Sequence, residues 1–112
     1  MTRHDLPDHV QGDSFALPVA FASNDAPRDM TGWKVWFTVK YDPMQADSEA
    51  LIHKVFTVSG SAVAIELTSA ETRPLLPVNY HYDVQLTDDS GQAVRTLLQG
   101  RWRITADVTH TA

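Results

Sequence analysis

The chain has 112 residues, room for one domain and too little for two. Its hydrophobic content of 43% suits a packed globule, and a formal charge of −5 from nine basic and fourteen acidic residues offers no basic footprint for nucleic acid. The absence of cysteine excludes disulfides, thiolate metal ligands and a thiol nucleophile.

Apolar runs such as Val35-Trp36-Phe37 are too short for a membrane-spanning helix, and the polar start Met1-Thr2-Arg3-His4-Asp5 does not read as a secretory signal. Residues 1–12 carry Pro7 and Gly12 among polar neighbours and are expected to form a flexible arm, with the folded domain over 13–109 and a short tail over 110–112.

From Phe15 the apolar pattern has period two. Phe15, Leu17, Val19 and Phe21 alternate with small or polar residues, and Pro18, lacking a backbone donor, places this strand at a sheet edge. Residues 23–32 are rich in breakers and read as a turn region. Trp33, Val35, Phe37, Val39 and Tyr41 then alternate with Lys34, Trp36, Thr38 and Lys40 as a two-faced strand. Residues 42–50 open on Asp-Pro and read as a loop.

Residues 51–58 form a strand of ambiguous parity. Ser59-Gly60-Ser61 is expected to turn it into a hairpin with the strand of Val63, Ile65 and Leu67. Thr68 and Glu71 stand at capping-box spacing for one or two helical turns, which Pro74 and Pro77 end. Val78, Tyr80, Tyr82, Val84 and Leu86 alternate strictly with Asn79, His81, Asp83, Gln85 and Thr87. Asp88-Asp89-Ser90-Gly91 marks a hairpin turn. The last strand runs from about Ala93 to Thr105, with Leu98, Trp102 and Ile104 opposing Gln99, Arg101 and Arg103. Gly100 inside it suggests a bulge or a close backbone approach.

Six or seven short strands with one helical turn predict an all-β fold, an antiparallel immunoglobulin-like β-sandwich. Shared parity predicts burial of Trp33, Phe37, Ile65, Tyr80, Tyr82, Leu86, Leu98, Trp102 and Ile104. Asp29 and Thr31 beside Gly32 are suited to closing a turn through side-chain–backbone bonds, and Tyr80 follows the crossover as the tyrosine corner of immunoglobulin-type sandwiches does.

The order Gly12-Asp13-Ser14-Phe15, Asp29-Met30-Thr31-Gly32-Trp33, Leu67-Thr68-Ser69-Ala70-Glu71-Thr72, Tyr80-His81-Tyr82-Asp83-Val84-Gln85-Leu86, Gly91, Thr96-Leu97-Leu98-Gln99-Gly100 and Asp107-Val108-Thr109 resembles the small β-sandwich domains of phage and prophage tail proteins. The nearest type is the N-terminal attachment domain of baseplate upper proteins and tail-fibre proteins, and the resemblance spans residues 12–109. One departure is Val78, where that pattern has glycine, so the turn here differs. The resemblance implies a structural part of the virion, put together in the bacterial cytoplasm. It docks onto other tail or baseplate proteins or onto a second copy of itself, with no catalysis, cofactor, nucleic acid or membrane.

The residues themselves offer little chemistry. His4, His9, His53, His81 and His110 include no pair at the helical zinc spacing, and His81 is expected to face solvent beside Asp83. Asp88–Gly91 lacks the alternating ligands of a calcium loop, and Ser14, Ser59 and Ser69 lack a nucleophile-elbow frame. Asp13, Asp29, Glu71 and Asp83 give no sign of a converging carboxylate pair. No catalytic or metal residue is therefore predicted. Gly32, Thr68, Glu71, Tyr80, Tyr82, Gly91 and Gly100 are read as structural.

Trp36 is different, because its parity leaves it on the outer face with Lys34 and Lys40. These three form the candidate interface, with cover by loop 42–50 as the bland alternative. A sandwich-type carbohydrate-binding module is the rival function, and it would need two or three coplanar exposed rings.

Overall fold

A computed structural model describes residues 2–3, 5–23, 26–42, 44, 46–88, 90 and 94–106. The strands are β1 (Thr2–Arg3), β2 (His9–Val10), β3 (Phe15–Ala20), β4 (Ala22–Ser23), β5 (Ala26–Pro27), β6 (Lys34–Lys40), β7 (Ile52–Thr57), β8 (Ala62–Leu67), β9 (Asn79–Thr87) and β10 (Val94–Thr105). The short helix α1 (Ser69–Thr72) lies between β8 and β9. The fold is all-β. The main sheet runs in the order β1-β10-β9-β6-β7, with β2 further along the β10 edge that β1 occupies. The strands β3 and β8 form a separate ribbon, and β4 and β5 a small pair.

Alternation decides the faces of the main sheet. Val35, Phe37 and Val39 of β6, Tyr80, Tyr82, Val84 and Leu86 of β9, and Trp102 and Ile104 of β10 are all buried on the inner side. The ribbon lies on that side. Phe15 stacks on Phe37 at 5.8 Å between ring centroids and meets Trp102 at 4.8 Å, while Ile65 and Leu67 of β8 join the same core. Each such pair adds about 1 kcal/mol beyond its buried area. Of the predicted core, Trp33 and Leu98 are only half-buried, packed against its margin. The molecule measures 44 × 28 × 22 Å along its principal axes.

The structure corrects four expectations. The main sheet is mixed, not antiparallel, because β1 and β2 run parallel to β10.

Residues 5–12, expected in a flexible arm, are stitched in. The Leu6 N–H donates to the Arg101 carbonyl, the Arg101 N–H to the Asp5 carboxylate, and the Gln11 N–H to the Thr105 carbonyl. Leu6 is buried. Gly12 turns the chain at φ 84°, and a Cβ there would come within 2.5 Å of the Arg73 guanidinium. Beside it, Ser69 and Thr72 donate their hydroxyls to the Gly12 and Asp13 carbonyls, and the Gln11 amide donates to the Arg73 and Leu75 carbonyls.

The expected hairpin of β7 and β8 is instead a crossover: β7 pairs with β6, β8 with β3, and only Ser59 and Ala62 bridge. The Met30–Trp33 turn is hydrogen-bonded to this connection on the side that faces β6. Val58 exchanges bonds with Trp33 and Gly32, and Gly60 with Met30 and the Thr31 hydroxyl. Gly32 adopts φ 92° there.

The irregularity in β10 falls between Thr96 and Leu98, whereas Gly100 pairs regularly with Tyr82.

Edges are handled by composition. The β3–β8 register directs the amide nitrogens of Phe21, Val19 and Phe15 toward β8, so that of Pro18, out of phase, faces the open side where no donor is needed. Lys54 shares the inner face of β7 with Ile52 and Phe56. Its ammonium lies 5.3 Å from the Phe56 ring centroid, donating to the Glu66 carbonyl at 3.0 Å and to Glu71 at 2.9 Å. An inward charge on an edge strand discourages edge-to-edge pairing.

Candidate functional site

Most residues singled out in the sequence hold the frame. Thr68 caps α1, accepting from the Glu71 N–H, while the Glu71 carboxylate accepts from the Thr68 N–H. That bond first, and Lys54 second, hold the Glu71 carboxyl below the usual carboxylate range. Asp29 accepts from the hydroxyl and N–H of Thr31, which lowers its pKa in the same sense. The Tyr80 hydroxyl accepts from the Leu76 N–H at 2.8 Å, tying down the crossover, and burial raises its pKa. Where the tail-domain pattern has glycine, Val78 closes a three-residue turn by donating its N–H to the Leu76 carbonyl. Tyr82 is buried, and desolvation, with the nearby Asp5 charge, pushes it up to about 12. Gly91 lies outside the described residues.

The surface with side chains left over is the outer face of the main sheet. On β6, Lys34, Trp36, Thr38 and Lys40 point outward; on β9, Asn79, His81, Asp83, Gln85 and Thr87; on β10, Gln99, Arg101 and Arg103. Trp36 is half-buried, and neighbouring strands supply cover for it; the loop over 42–50, the alternative cover, lies partly outside the described residues. The indole N–H donates to the Thr87 hydroxyl at 3.0 Å, and the ring stacks on His53 at 5.1 Å and 25°. Both partners sit diagonally across the ladder, two residues from the positions opposite Trp36, a separation that long side chains reach. His53 in turn bonds the Thr38 hydroxyl at 2.9 Å, which explains why Thr38 is buried on this face.

The three predicted interface residues do not converge. Lys34 and Lys40 stand six residues apart on β6, about 20 Å along the strand, with Trp36 between them. Lys40 instead meets residues that single-strand reasoning could not group. Thr38, Lys40, His81, Asp83, Gln99 and Arg101 rim a depression of about 400 Å³ whose floor is the backbone of Tyr82 and Gly100. The alternation of each strand signals that these side chains face outward; only pairing brings them side by side. One face of the Trp36 ring is already taken by His53, and no second aromatic ring points outward from β6, β9 or β10, so the coplanar platform of a sugar-binding module does not form on this face. Among the described residues, no three His, Asp or Glu side chains gather to hold a metal, and no helix is long and apolar enough to cross a membrane.

Comparison with protein-family models finds no match, and comparison with curated proteins finds none.

Proposed function

We propose that this chain is a non-catalytic attachment module of a phage or prophage tail, of the baseplate or fibre type, which works by protein–protein contact through the outer face of its main sheet. The finer fold that goes with this reading is an immunoglobulin-like sandwich. Its support is the sheet order β1-β10-β9-β6-β7 opposed by β3-β8, together with the tyrosine tied back four residues at the crossover. The observation that carries the functional reading is the division of labour among the distinctive residues. Gly32, Thr68, Glu71 and Tyr80 are absorbed by turns, caps and the crossover. The outer sheet face combines a half-exposed tryptophan with lysines, arginines and a depression. Tryptophan and arginine are the residue types enriched where interfaces are strongest.

The test is coexpression with the proteins encoded by adjacent genes, followed by size-exclusion chromatography and light scattering. A stable complex with an identified tail or baseplate protein, weakened at least about tenfold by Trp36→Ser, supports the reading. A strict monomer that binds none of them counts against it.

A further inference from the structure

Among the described residues, seven large apolar side chains are exposed, and five of them, Val10, Tyr41, Met44, Leu51 and Leu76, lie at one end of the main sheet. They come from different elements that finish or start there. Val10 ends β2 and pairs with Thr105, where β10 ends. Tyr41 follows β6, Met44 sits in the connection to β7, and Leu51 stands just before β7. Leu76 belongs to the crossover that leads into β9.

Hydrogen bonds and a ring contact hold these elements together. The Gln11 amide donates to the Leu75 carbonyl, which brings the segment of Val10 to that of Leu76. Leu76 gives its N–H to the Tyr80 hydroxyl, and the Tyr80 ring meets that of Tyr41 edge-on, 6.2 Å between centroids. The Leu51 N–H donates to the Val39 carbonyl, two residues before Tyr41. The five side chains thus lie along the end of the sheet from β2 to β7, between 38% and 89% exposed. Single exposed apolar residues are ordinary, whereas a group of them at one end marks a contact surface.

The charge around this end selects what binds there. From Lys40 to Leu51 the chain carries three acids, Asp42, Asp47 and Glu49, against Lys40 alone. Beside Val10 and Leu76, two acids, Asp8 and Asp13, balance two bases, Arg73 and Arg103. Glu71 is paired with Lys54 at 2.9 Å. A formal charge of −2 therefore remains around the apolar group. Two copies meeting through this end would oppose like charge, and five side chains alone fall short of the about 800 Å² per partner of a stable interface. The residues after Ala106 include Asp107 and no lysine or arginine, so they lack the complementary charge as well.

We infer that this end of the molecule is a second docking surface, which takes a short segment of a partner protein whose apolar side chains are flanked by lysine or arginine. Met44 adapts its shape to an apolar side chain, and Tyr41 offers a ring with a polar tip. The stem of a partner lysine lies along such a surface while its ammonium turns to the acids at the rim. This contact does not depend on the tail reading, and it adds a surface to the outer face of the main sheet.

The experiment is an amide NMR titration of the full chain with the peptide Lys-Leu-Lys-Leu-Lys, with Glu-Leu-Glu-Leu-Glu and pentalysine as controls. The first peptide should shift Val10, Tyr41, Met44, Leu51 and Leu76 and bind at least about tenfold more tightly than either control. The double variant Met44→Ser with Leu76→Ser should weaken binding about tenfold with the melting temperature unchanged, since both side chains are exposed. Met44→Ser alone should act in the same direction. Val94→Ser, exposed at the other end, should leave binding as it is. No binding of the first peptide, equal binding of the acidic one, or binding that survives the double variant would each overturn the assignment. So would a different occupant. Concentration-dependent light scattering abolished by the double variant would make it a second copy. Nuclear Overhauser contacts from residues 107–112 to Tyr41 or Leu76 would make it the chain's own tail. Tighter binding to phosphatidylcholine vesicles than to the peptide would make it lipid.

Discussion

At Trp36 two effects share one side chain. Its stacking on His53 and its bond to Thr87 stabilise the monomer, and the area left exposed remains for a partner. Trp36→Ser should therefore lower unfolding stability by about 1–2 kcal/mol, less than the roughly 3–5 kcal/mol of a fully buried aromatic. Urea denaturation measures this, and a loss above that range would mean the ring belongs to the core. Tyr80 gives a sharper case. Tyr80→Phe keeps the ring and strands the Leu76 N–H in a half-buried crossover, which should cost about 1–3 kcal/mol. The same denaturation series reads it, and no loss would show that the hydroxyl adds nothing to the corner.

Among the elements, the N-terminal segment has the clearest consequence. Residues 2–3 and 5–11 cover the edge of β10 that β9 leaves open, with Leu6 as their buried anchor. Leu6→Ala should destabilise the fold by about 2–4 kcal/mol. It should also speed exchange of the Arg101 amide, whose acceptor is Asp5. Hydrogen exchange followed by NMR checks both, and unchanged protection at Arg101 would mean the edge holds without its cover. At the opposite edge, Lys54 ties β7 to β8 and α1 through groups about a third exposed. Lys54→Met should change stability by less than about 1 kcal/mol, since exposed pairs contribute little. It should nonetheless promote self-association through the uncovered edge, visible as concentration-dependent light scattering.

For the whole molecule, the two inward tyrosines set the alkaline limit. Burial raises Tyr80, and burial with the Asp5 charge raises Tyr82 to about 12, above the value near 10 of an unfolded chain. The folded state thus holds these protons where the unfolded chain releases them. The resulting stability is fully present below about pH 10 and is lost as pH rises toward 12. Tyr82 alone should account for a loss on the order of 2 kcal/mol over that window. Tyr82→Phe should flatten the loss in pH-dependent denaturation, and an unchanged alkaline slope would show that other groups cause it. Glu71 acts in the opposite sense at acid pH. Its lowered pKa adds stability that is lost as pH falls through the folded value.

The sequence by itself determined what depends on neighbours along the chain. Alternation sorted Val35 from Trp36 and Tyr80 from His81, because side chains of a strand point to opposite faces whatever lies beside it. The cap at Thr68, the turn at Asp29–Gly32 and the edge character of Pro18 were likewise readable, since each bond or missing donor lies within a few residues. Only the tertiary structure decided which strands meet. The polar segment before Gly12 carries few apolar side chains to announce a strand, yet β10 offers it an unpaired edge and the crossover a set of hydroxyls and carbonyls. The Ser59–Ser61 turn resembles a hairpin locally, but β7 pairs with β6 and β8 with β3, a choice of partners that no local pattern announces. The same holds for the site. Lys40, His81 and Arg101 lie at least twenty residues apart in sequence, and the register of three strands, set by burial of their other faces, makes them a row.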